Sequence, residues 1–423
     1  MLDRTERQKE GIRRWLKAKG HGTCVYSTGF GKTNTARLLI SALIKKNPSL
    51  SVLVSVPTEE LLKQWEDVVI KNNLIKNVHV GIINSIVKNE YEVDLLVIDE
   101  VHSAASEVFS HIFSCVKYKY ILCLTATLER LDGKEELIKK YAPVCDTITF
   151  EEAIRNGWLS PVKEYKVLVD VDLTEYREHH AEFLKHFAIF NFDFSVAMNC
   201  ATGRYSKYQQ LCYAKTLCHY QPSDPRYRRT LDELVQQVRA SAYSWMRAMQ
   251  ARKQFVNKHP KKIELARKIL DARPNAKAIT FSSTIAEAEK IGRGFVYHSG
   301  QTKKKRGMTM EEFKTCSKGV LNSSKAIDVG LDVPDVNLAI ILSGSSSNIQ
   351  KVQRKGRAAR YVPGKTSEVF SLVIKGTNDE KWFNSASKGT KYITISEEEL
   401  DIVLREGDIE TRQRDNENTL YLG

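Results

Sequence analysis

Thr23-Cys24-Val25-Tyr26-Ser27-Thr28-Gly29-Phe30-Gly31-Lys32-Thr33 decides how this chain folds. The first four residues form a short apolar, β-branched run, and the two glycines behind them lead into a helical pattern. A strand, a glycine turn and a helix in that order point backbone N–H groups at an anion. Thr28, Gly29 and Gly31 would wrap the phosphates of a nucleotide. Lys32 would reach the β- and γ-phosphates, and the Thr33 hydroxyl would ligate Mg²⁺. Taken alone, the segment also fits an ordinary glycine turn before a helix. The general pattern wants Gly or Ala five residues before Gly31, and Tyr26 stands there.

Outward from this segment, four- and five-residue apolar runs recur at Val52–Val56, Leu95–Ile98 and Ile121–Leu124. Each suits a strand buried on both faces of a parallel sheet. Leu61, Leu62, Trp65, Val68 and Val69 fall on one helical face between two of the runs. The run Leu95–Ile98 ends in Asp99-Glu100-Val101-His102. There Asp99 would hold Mg²⁺ and Glu100 would polarise an attacking water. The rhythm predicts an α/β domain with its ligand at the carboxyl ends of the strands. It returns at Ala278–Phe281, Phe295–Tyr297, Leu338–Leu342 and Val369–Val373, predicting a second parallel sheet.

Between the two sheets, from about Glu175 to Pro260, the pattern is helical and dense in aromatic and basic residues. Arg204, Lys207, Lys215, Arg226, Arg228, Arg229, Arg239, Arg247 and Arg252 interleave with Tyr205, Tyr208, Tyr213, Tyr227, Tyr243 and Trp245. Cations there would hold phosphates while rings stack on exposed bases, at roughly 1–3 kcal/mol per base. Equally, the rings form the core of a helical bundle whose charges face water. From about Glu397 the chain reads as an acidic helix with a loose tail.

The 423 residues suffice for two ordinary domains and an insertion. Hydrophobic residues at 42% and charged residues at 27% exclude a disordered chain. No apolar run approaches the ~20 residues of a membrane span. The charged N-terminus lacks an apolar signal core, which predicts a cytoplasmic protein. A net charge of +14 suggests a polyanionic partner, most simply nucleic acid, although basic proteins also bind acidic membranes or nothing in particular. The eight cysteines include no CxxC pair, and Cys212, Cys218 and His219 lack a second ligand pair for zinc. Cys24 and Cys123 read as buried small hydrophobes.

Further motifs follow in an order that resembles a known family. Asp99-Glu100-Val101-His102 resembles the DExH box of superfamily 2 helicases. Gln8 in Arg7-Gln8-Lys9 is similar to their adenine-reading glutamine, with Thr5 where an arginine is usual. Pro57-Thr58 resembles the motif that contacts the nucleic-acid backbone, and Thr125-Ala126-Thr127 the motif coupling hydrolysis to strand movement. His102, Thr125 and Thr127 are thereby candidate coupling residues. Phe281-Ser282-Ser283-Thr284 and Tyr297-His298-Ser299-Gly300 resemble the fourth motif region, with Ser283 a candidate nucleic-acid contact beside Thr58, Arg226, Arg228 and Arg229. Asp328–Pro334 resembles the fifth motif, with Gly330 and Asp332 at the nucleotide, though Val329 and Leu331 replace the usual Glu and Ile. Gln353-Arg354-Lys355-Gly356-Arg357-Ala358-Ala359-Arg360 matches the sixth, QxxGRxxR. Gln353, Arg357 and Arg360 would join Lys32, Asp99 and Glu100 in catalysis, the arginines acting as fingers on the γ-phosphate.

The resemblance implies two RecA-like parallel-sheet domains in tandem: 1–165, then a helical insertion over 166–260, then 261–390, with a tail over 391–423. It implies ATP and Mg²⁺ as cofactors and DNA as partner. Ala153–Pro161 is similar to a segment of the UvsW-type phage replication and recombination helicases, with RecG and XPB more distant. A monomeric enzyme that unwinds or branch-migrates forked or junction DNA is therefore expected. The alternatives are a double-strand translocase that does not unwind, an RNA helicase, and a binding scaffold with an inactive ATPase. Intact Lys32, Glu100 and Arg360 argue against the scaffold.

Overall fold

Apolar runs with no polar break build the first sheet. In the computed structural model, residues 3–102, 109–128, 135–205, 209, 231–324, 333, 335–344, 364–387 and 390–406 are described. Six strands, β1 (His21–Tyr26), β2 (Val52–Val56), β3 (Val78–Ile82), β4 (Tyr91–Asp99), β5 (Val116–Thr125) and β6 (Val144–Ile148), lie in the order β3-β2-β4-β5-β1-β6. Every neighbouring pair is parallel. The pleat sends Leu95, Val97, Leu122 and Leu124 to one core and Leu96, Ile98, Ile121 and Cys123 to the other. Helices on both faces account for the unbroken apolar runs. Cys24 and Cys123 are buried in this sheet as expected.

Three helices frame the carboxyl ends of these strands: α1 (Arg4–Lys17), α2 (Lys32–Lys46) and α3 (Glu59–Lys71). Thr58 caps α3, accepting from Leu61 N, with Glu59 and Glu60 in the first turn and Lys71 in the last, as the helix dipole favours. Leu61, Trp65 and Val69 bury one stripe of α3, as its periodicity predicts. Strand β1 sits between β5 and β6, and the chain passes β5 and β4 to reach β2. The register pairs Val25 with Thr125 and Asp99 with Leu124, so β1, β4 and β5 end in one row.

The second sheet contains β7 (Val162–Val169), β8 (Lys277–Ser282), β9 (Phe295–His298), β10 (Gly319–Ser324), β11 (Leu338–Ile341), β12 (Ser367–Ile374) and β13 (Ile393–Ile395), ordered β13-β7-β12-β11-β8-β10-β9. Its core joins Ile279, Phe281, Leu321, Ala339, Ile341 and Val369 to Met310 and Phe313 of the helix Lys303–Thr315. The boundary expected at residue 165 falls inside β7, which belongs to this second sheet. The charged residues of Val162–Val169 hide it from an apolar-run reading, yet Glu164 and Lys166 are buried. Lys166 Nζ donates to Asn384 Oδ1 at 3.2 Å and lies over the Phe383 ring. Likewise β13 extends this domain beyond residue 390, followed by the expected acidic helix, Glu397–Glu406.

Contacts divide the chain into two units: Met1–Leu168 with Ile263–Val373 and Lys381–Gly423, and Val169–Lys262 with Ile374–Glu380. The second unit is helical, with helices Thr174–Ala188, Phe194–Thr202 and Leu231–Lys258. Its core gathers Phe190, Ala197, Cys200, Val238, Ala242 and Trp245, with Phe183 and Phe187 packed on it. Burying an aromatic of this size contributes about 4–6 kcal/mol before entropy. The segment Ile374–Glu380 is held to this unit by a buried ion pair, Lys262 Nζ to Asp379 Oδ2 at 2.6 Å.

Candidate active site

The turn between β1 and α2 is built for a polyanion. Gly29 and Gly31 adopt φ of 90° and 105°, in the left-handed region. A Cβ on Gly31 would come within 2.7 Å of Gln8 Nε2. Gly31 caps α2 without a side-chain hydrogen bond, so the N–H groups of the first turn keep their affinity for an anion. The hydroxyls of Ser27 and Thr28 are buried without a partner among the described residues. Unpaired buried donors beside a bare helix N-terminus fit a nucleotide's phosphates. Lys32 is buried and Thr33 half-buried at the same turn.

Helix α1 clamps this turn from outside. Arg4 Nε donates to Phe30 O at 2.6 Å, and its terminal nitrogen donates to Gly29 O. Gln8 Nε2 donates to Phe30 O at 3.2 Å and Gly31 O at 3.3 Å, while its Oε1 accepts from Asn34 at 2.7 Å. Gln8, expected at adenine, thus lies 2% exposed with its amide bonded to the turn. Below it, Asp146 of β6 receives Arg7 in a fork at 2.6 and 2.9 Å, Arg14 at 2.6 Å and the Tyr26 hydroxyl at 2.7 Å. Burial would push the Asp146 carboxyl up, but the bonds from Arg7 and Tyr26 hold it below the usual range. This network accounts for Tyr26 standing where the general pattern has a small residue: its ring packs on Phe30, its hydroxyl serves Asp146, and Gly11 opposite leaves room for it. Sequence reasoning missed Arg7 and Asp146. The unexplained Tyr26 was the available signal.

The carboxylates sit across the row of strand ends. Asp99 is 2% exposed, and burial together with adjacent Glu100 pushes its carboxyl up to about 6. Its Oδ1 accepts from Glu100 N at 2.9 Å and its Oδ2 from Trp65 Nε1 at 2.9 Å. A carboxylate so disfavoured in its charged form, with a second beside it, suits a divalent cation. Asp99 and Thr33 would hold Mg²⁺ there. Glu100 turns with φ of 51°, setting Oε1 3.2 Å from Lys32 Nζ. His102 Nδ1 lies 3.4 Å from Glu100 Oε2 and 3.2 Å from Thr125 Oγ1. The Thr125 hydroxyl donates to Thr127 O at 2.7 Å, so His102 supplies the proton between them. The structure therefore brings together Lys32, Asp99, Glu100, His102, Thr125 and Thr127 around the turn. It adds Trp65, which in the sequence marks only the apolar face of a helix.

The remaining expected residues lie elsewhere. Thr58 caps α3 and is half-buried. Ser283 donates to Glu287 Oε2 at 2.8 Å, beside the capping box that Thr284 forms with Glu287. Gly330, Asp332, Gln353, Arg357, Arg360, Arg226, Arg228 and Arg229 lie outside the described residues, as do Lys207, Tyr208, Tyr213, Lys215, Tyr227 and the Cys212, Cys218, His219 group. In the helical unit, base stacking by Trp245 and a phosphate contact by Arg252 are overturned. Trp245 is fully buried against Phe187 and Phe194, and Arg252 is 4% exposed with its guanidinium 4.1 Å above the Phe183 ring. There the aromatics pack on one another. Arg204, Arg239, Tyr243 and Arg247 remain exposed.

Among the described residues, no helix is long and apolar enough to cross a membrane. Residues 2–90 and 76–130 match the family described as type III restriction enzyme, res subunit, and 261–362 match the helicase conserved C-terminal domain. The DNA 3'-5' translocase XPB2 of Sulfurisphaera tokodaii is 28% identical over 392 residues, covering 88% of this chain and 82% of that protein. A putative ATP-dependent RNA helicase of Methanocaldococcus jannaschii is 25% identical over 456 residues, covering 86% of this chain and 57% of that protein. In fold alone, the chain resembles S. cerevisiae Dbp5 bound to RNA and ADP BeF3, at a TM-score of 0.59 and 13% identity, covering 94% and 91% of the two chains. The phosphate turn, the paired carboxylates and these two family matches together make the chain a superfamily 2 helicase, an ATP-dependent nucleic-acid helicase with two α/β parallel-sheet domains.

Proposed function

We propose that this helicase acts on DNA, unwinding or branch-migrating forked or junction substrates as a monomer, in the manner of phage replication and recombination helicases. The observation that carries the catalytic reading is the row Lys32, Asp99, Glu100, His102 and Thr125 at the ends of β1, β4 and β5. In this reading the turn from Thr28 to Thr33 binds the phosphates, and Gln8 fixes that turn and the adenine beside it. Lys32 neutralises the γ-phosphate and Glu100 orients the attacking water. Gln353, Arg357 and Arg360, with Gly330 and Asp332, complete the site. Mg²⁺ held by Asp99 and Thr33 supplies charge neutralisation during phosphoryl transfer. His102, Thr125 and Thr127 then relay the state of Glu100 to the strand-bearing residues Thr58 and Ser283.

DNA rather than RNA is supported by the name of the S. tokodaii relative, while the net charge of +14 fits either nucleic acid. The basic helical unit would grip the branch through Arg226, Arg228, Arg229 and the exposed row Arg239, Tyr243 and Arg247, spaced four apart along one helix. The name of the M. jannaschii relative favours RNA as the second reading. ATP hydrolysis and unwinding are to be measured on forks, four-way junctions and linear duplexes of both nucleic acids. Faster unwinding of branched DNA is expected. Equal or better action on RNA or on linear duplex would overturn the assignment.

A further inference from the structure

We propose that Trp65 is a positioning residue for Asp99, and the link through which strand binding at the Thr58 end of α3 reaches the ATPase centre. The inference rests on the reading of Asp99 and Thr58 given above. A buried indole N–H needs an acceptor, and a backbone carbonyl ordinarily serves: Trp15 of α1 donates to Ile121 O at 2.9 Å. Trp65 instead donates to a catalytic carboxylate, Asp99 Oδ2, at 2.9 Å. The other oxygen of Asp99 accepts from Glu100 N at 2.9 Å. The terminal torsion of an aspartate is soft, and two donors on separate oxygens fix the carboxylate plane.

Trp65 is 1% exposed and lies on the buried stripe Leu61, Trp65, Val69, so its ring moves only as α3 moves. The same helix begins at Thr58, whose hydroxyl accepts from Leu61 N. A thirteen-residue helix with a fixed cap transmits a tilt at its first turn to its second. The first turn is where the nucleic-acid backbone would press, and the second is where the indole holds Asp99. The chain thus has a direct mechanical path between strand and magnesium carboxylate, separate from the His102–Thr125 contact.

The test replaces Trp65 with 3-benzothienylalanine, which keeps the ring shape and substitutes sulfur for N–H, and separately makes Trp65→Phe. Calorimetry measures ADP affinity with Mg²⁺ and with a chelator. The gain in affinity conferred by Mg²⁺ should shrink by about tenfold, the scale of losing a hydrogen-bonded partner of a metal ligand. The stimulation of ATPase by single-stranded DNA should fall toward one in the same variants, with the melting temperature of the benzothienyl protein close to wild type. A folded variant keeping both ratios within about twofold of wild type would overturn the link. If the benzothienyl protein does not fold, Trp65→Phe is read the same way. A wild type that no nucleic acid stimulates would instead count against the proposed function, while the Mg²⁺ ratio still decides the role of Trp65.

Discussion

Gly11→Ala sets two effects against each other, and the structure decides the sign. Gly11 lies inside α1, where alanine is the better helix former by about 1 kcal/mol. From sequence alone the substitution stabilises. In the structure an added Cβ falls 1.9 Å from the Tyr26 hydroxyl oxygen, 2.8 Å from Asp146 Oδ2 and 3.2 Å from Tyr26 Cζ. Tyr26 is fully buried, Asp146 is 3% exposed and Arg7 5%, so no neighbour can turn into water. The added carbon falls on the Tyr26–Asp146 bond itself, so that bond breaks and the helix is displaced as well. A lost hydrogen bond to a charged group costs about 1.5–3 kcal/mol, and overpacking about 1–3. Against the gain of about 1, the net is a loss of about 3 kcal/mol. At about 2–4 °C per kcal/mol for a domain of this size, the melting temperature should fall by roughly 6–12 °C. Because α1 carries Arg4 and Gln8 to the phosphate turn, ADP affinity should fall with it. Scanning calorimetry of Gly11→Ala, Tyr26→Phe and the double variant separates the terms. Without the hydroxyl its hydrogen bond no longer counts and only the 2.8 Å approach to Asp146 Oδ2 remains, so the alanine should cost about 2 kcal/mol or less in the Phe background. Equal or higher stability of Gly11→Ala, or strict additivity in the double variant, would refute the account.

Lys32→Ala should abolish ATP turnover while DNA binding persists; turnover within about tenfold of wild type would remove Lys32 from the phosphate site. Glu100→Gln, which keeps shape but cannot orient water as a carboxylate does, should still bind ATP and turn over about 10²–10⁴-fold more slowly, and loss of binding would make Glu100 structural. Asp146 is held below its unfolded pKa of about 3.9, so its contribution to stability is present above that pH and lost as pH falls through its lower folded value. The melting-temperature gap between wild type and Asp146→Asn should therefore be full at pH 7 and narrow by pH 3; a constant gap contradicts the ion-pair reading. Asp379→Ala removes the carboxylate paired with the buried Lys262 ammonium and should cost about 3–5 kcal/mol, whereas Lys262→Met with Asp379→Asn, which keeps an acceptor for Ile374 N, should cost less. Urea titrations that rank the double variant below the single one would show that the charge pair itself is stabilising.

The amino-acid sequence alone determined the phosphate turn, the paired carboxylates and the alternation of strand and helix, since each is a local pattern. Thr23 to Thr33 contains its own strand, turn and helix start, and Leu95–Ile98 carries its carboxylates at its own end. Periodicity also gave the buried stripe of α3. It could not say what that stripe faces. The Trp65–Asp99 bond joins residues 34 apart, and the Arg7–Asp146 fork residues 139 apart, because β6 docks beside β1 only once the sheet is assembled. Strand β7 was hidden for a related reason: its Glu164 and Lys166 read as surface until the second sheet encloses them. In the helical unit, a row of aromatics reads identically whether the rings grip bases or one another. Trp245 and Tyr243 are two residues apart in the same sequence pattern. Packing alone buried the first completely and left the second 51% exposed, because successive helical positions point about 100° apart and a single face meets Phe187 and Phe194.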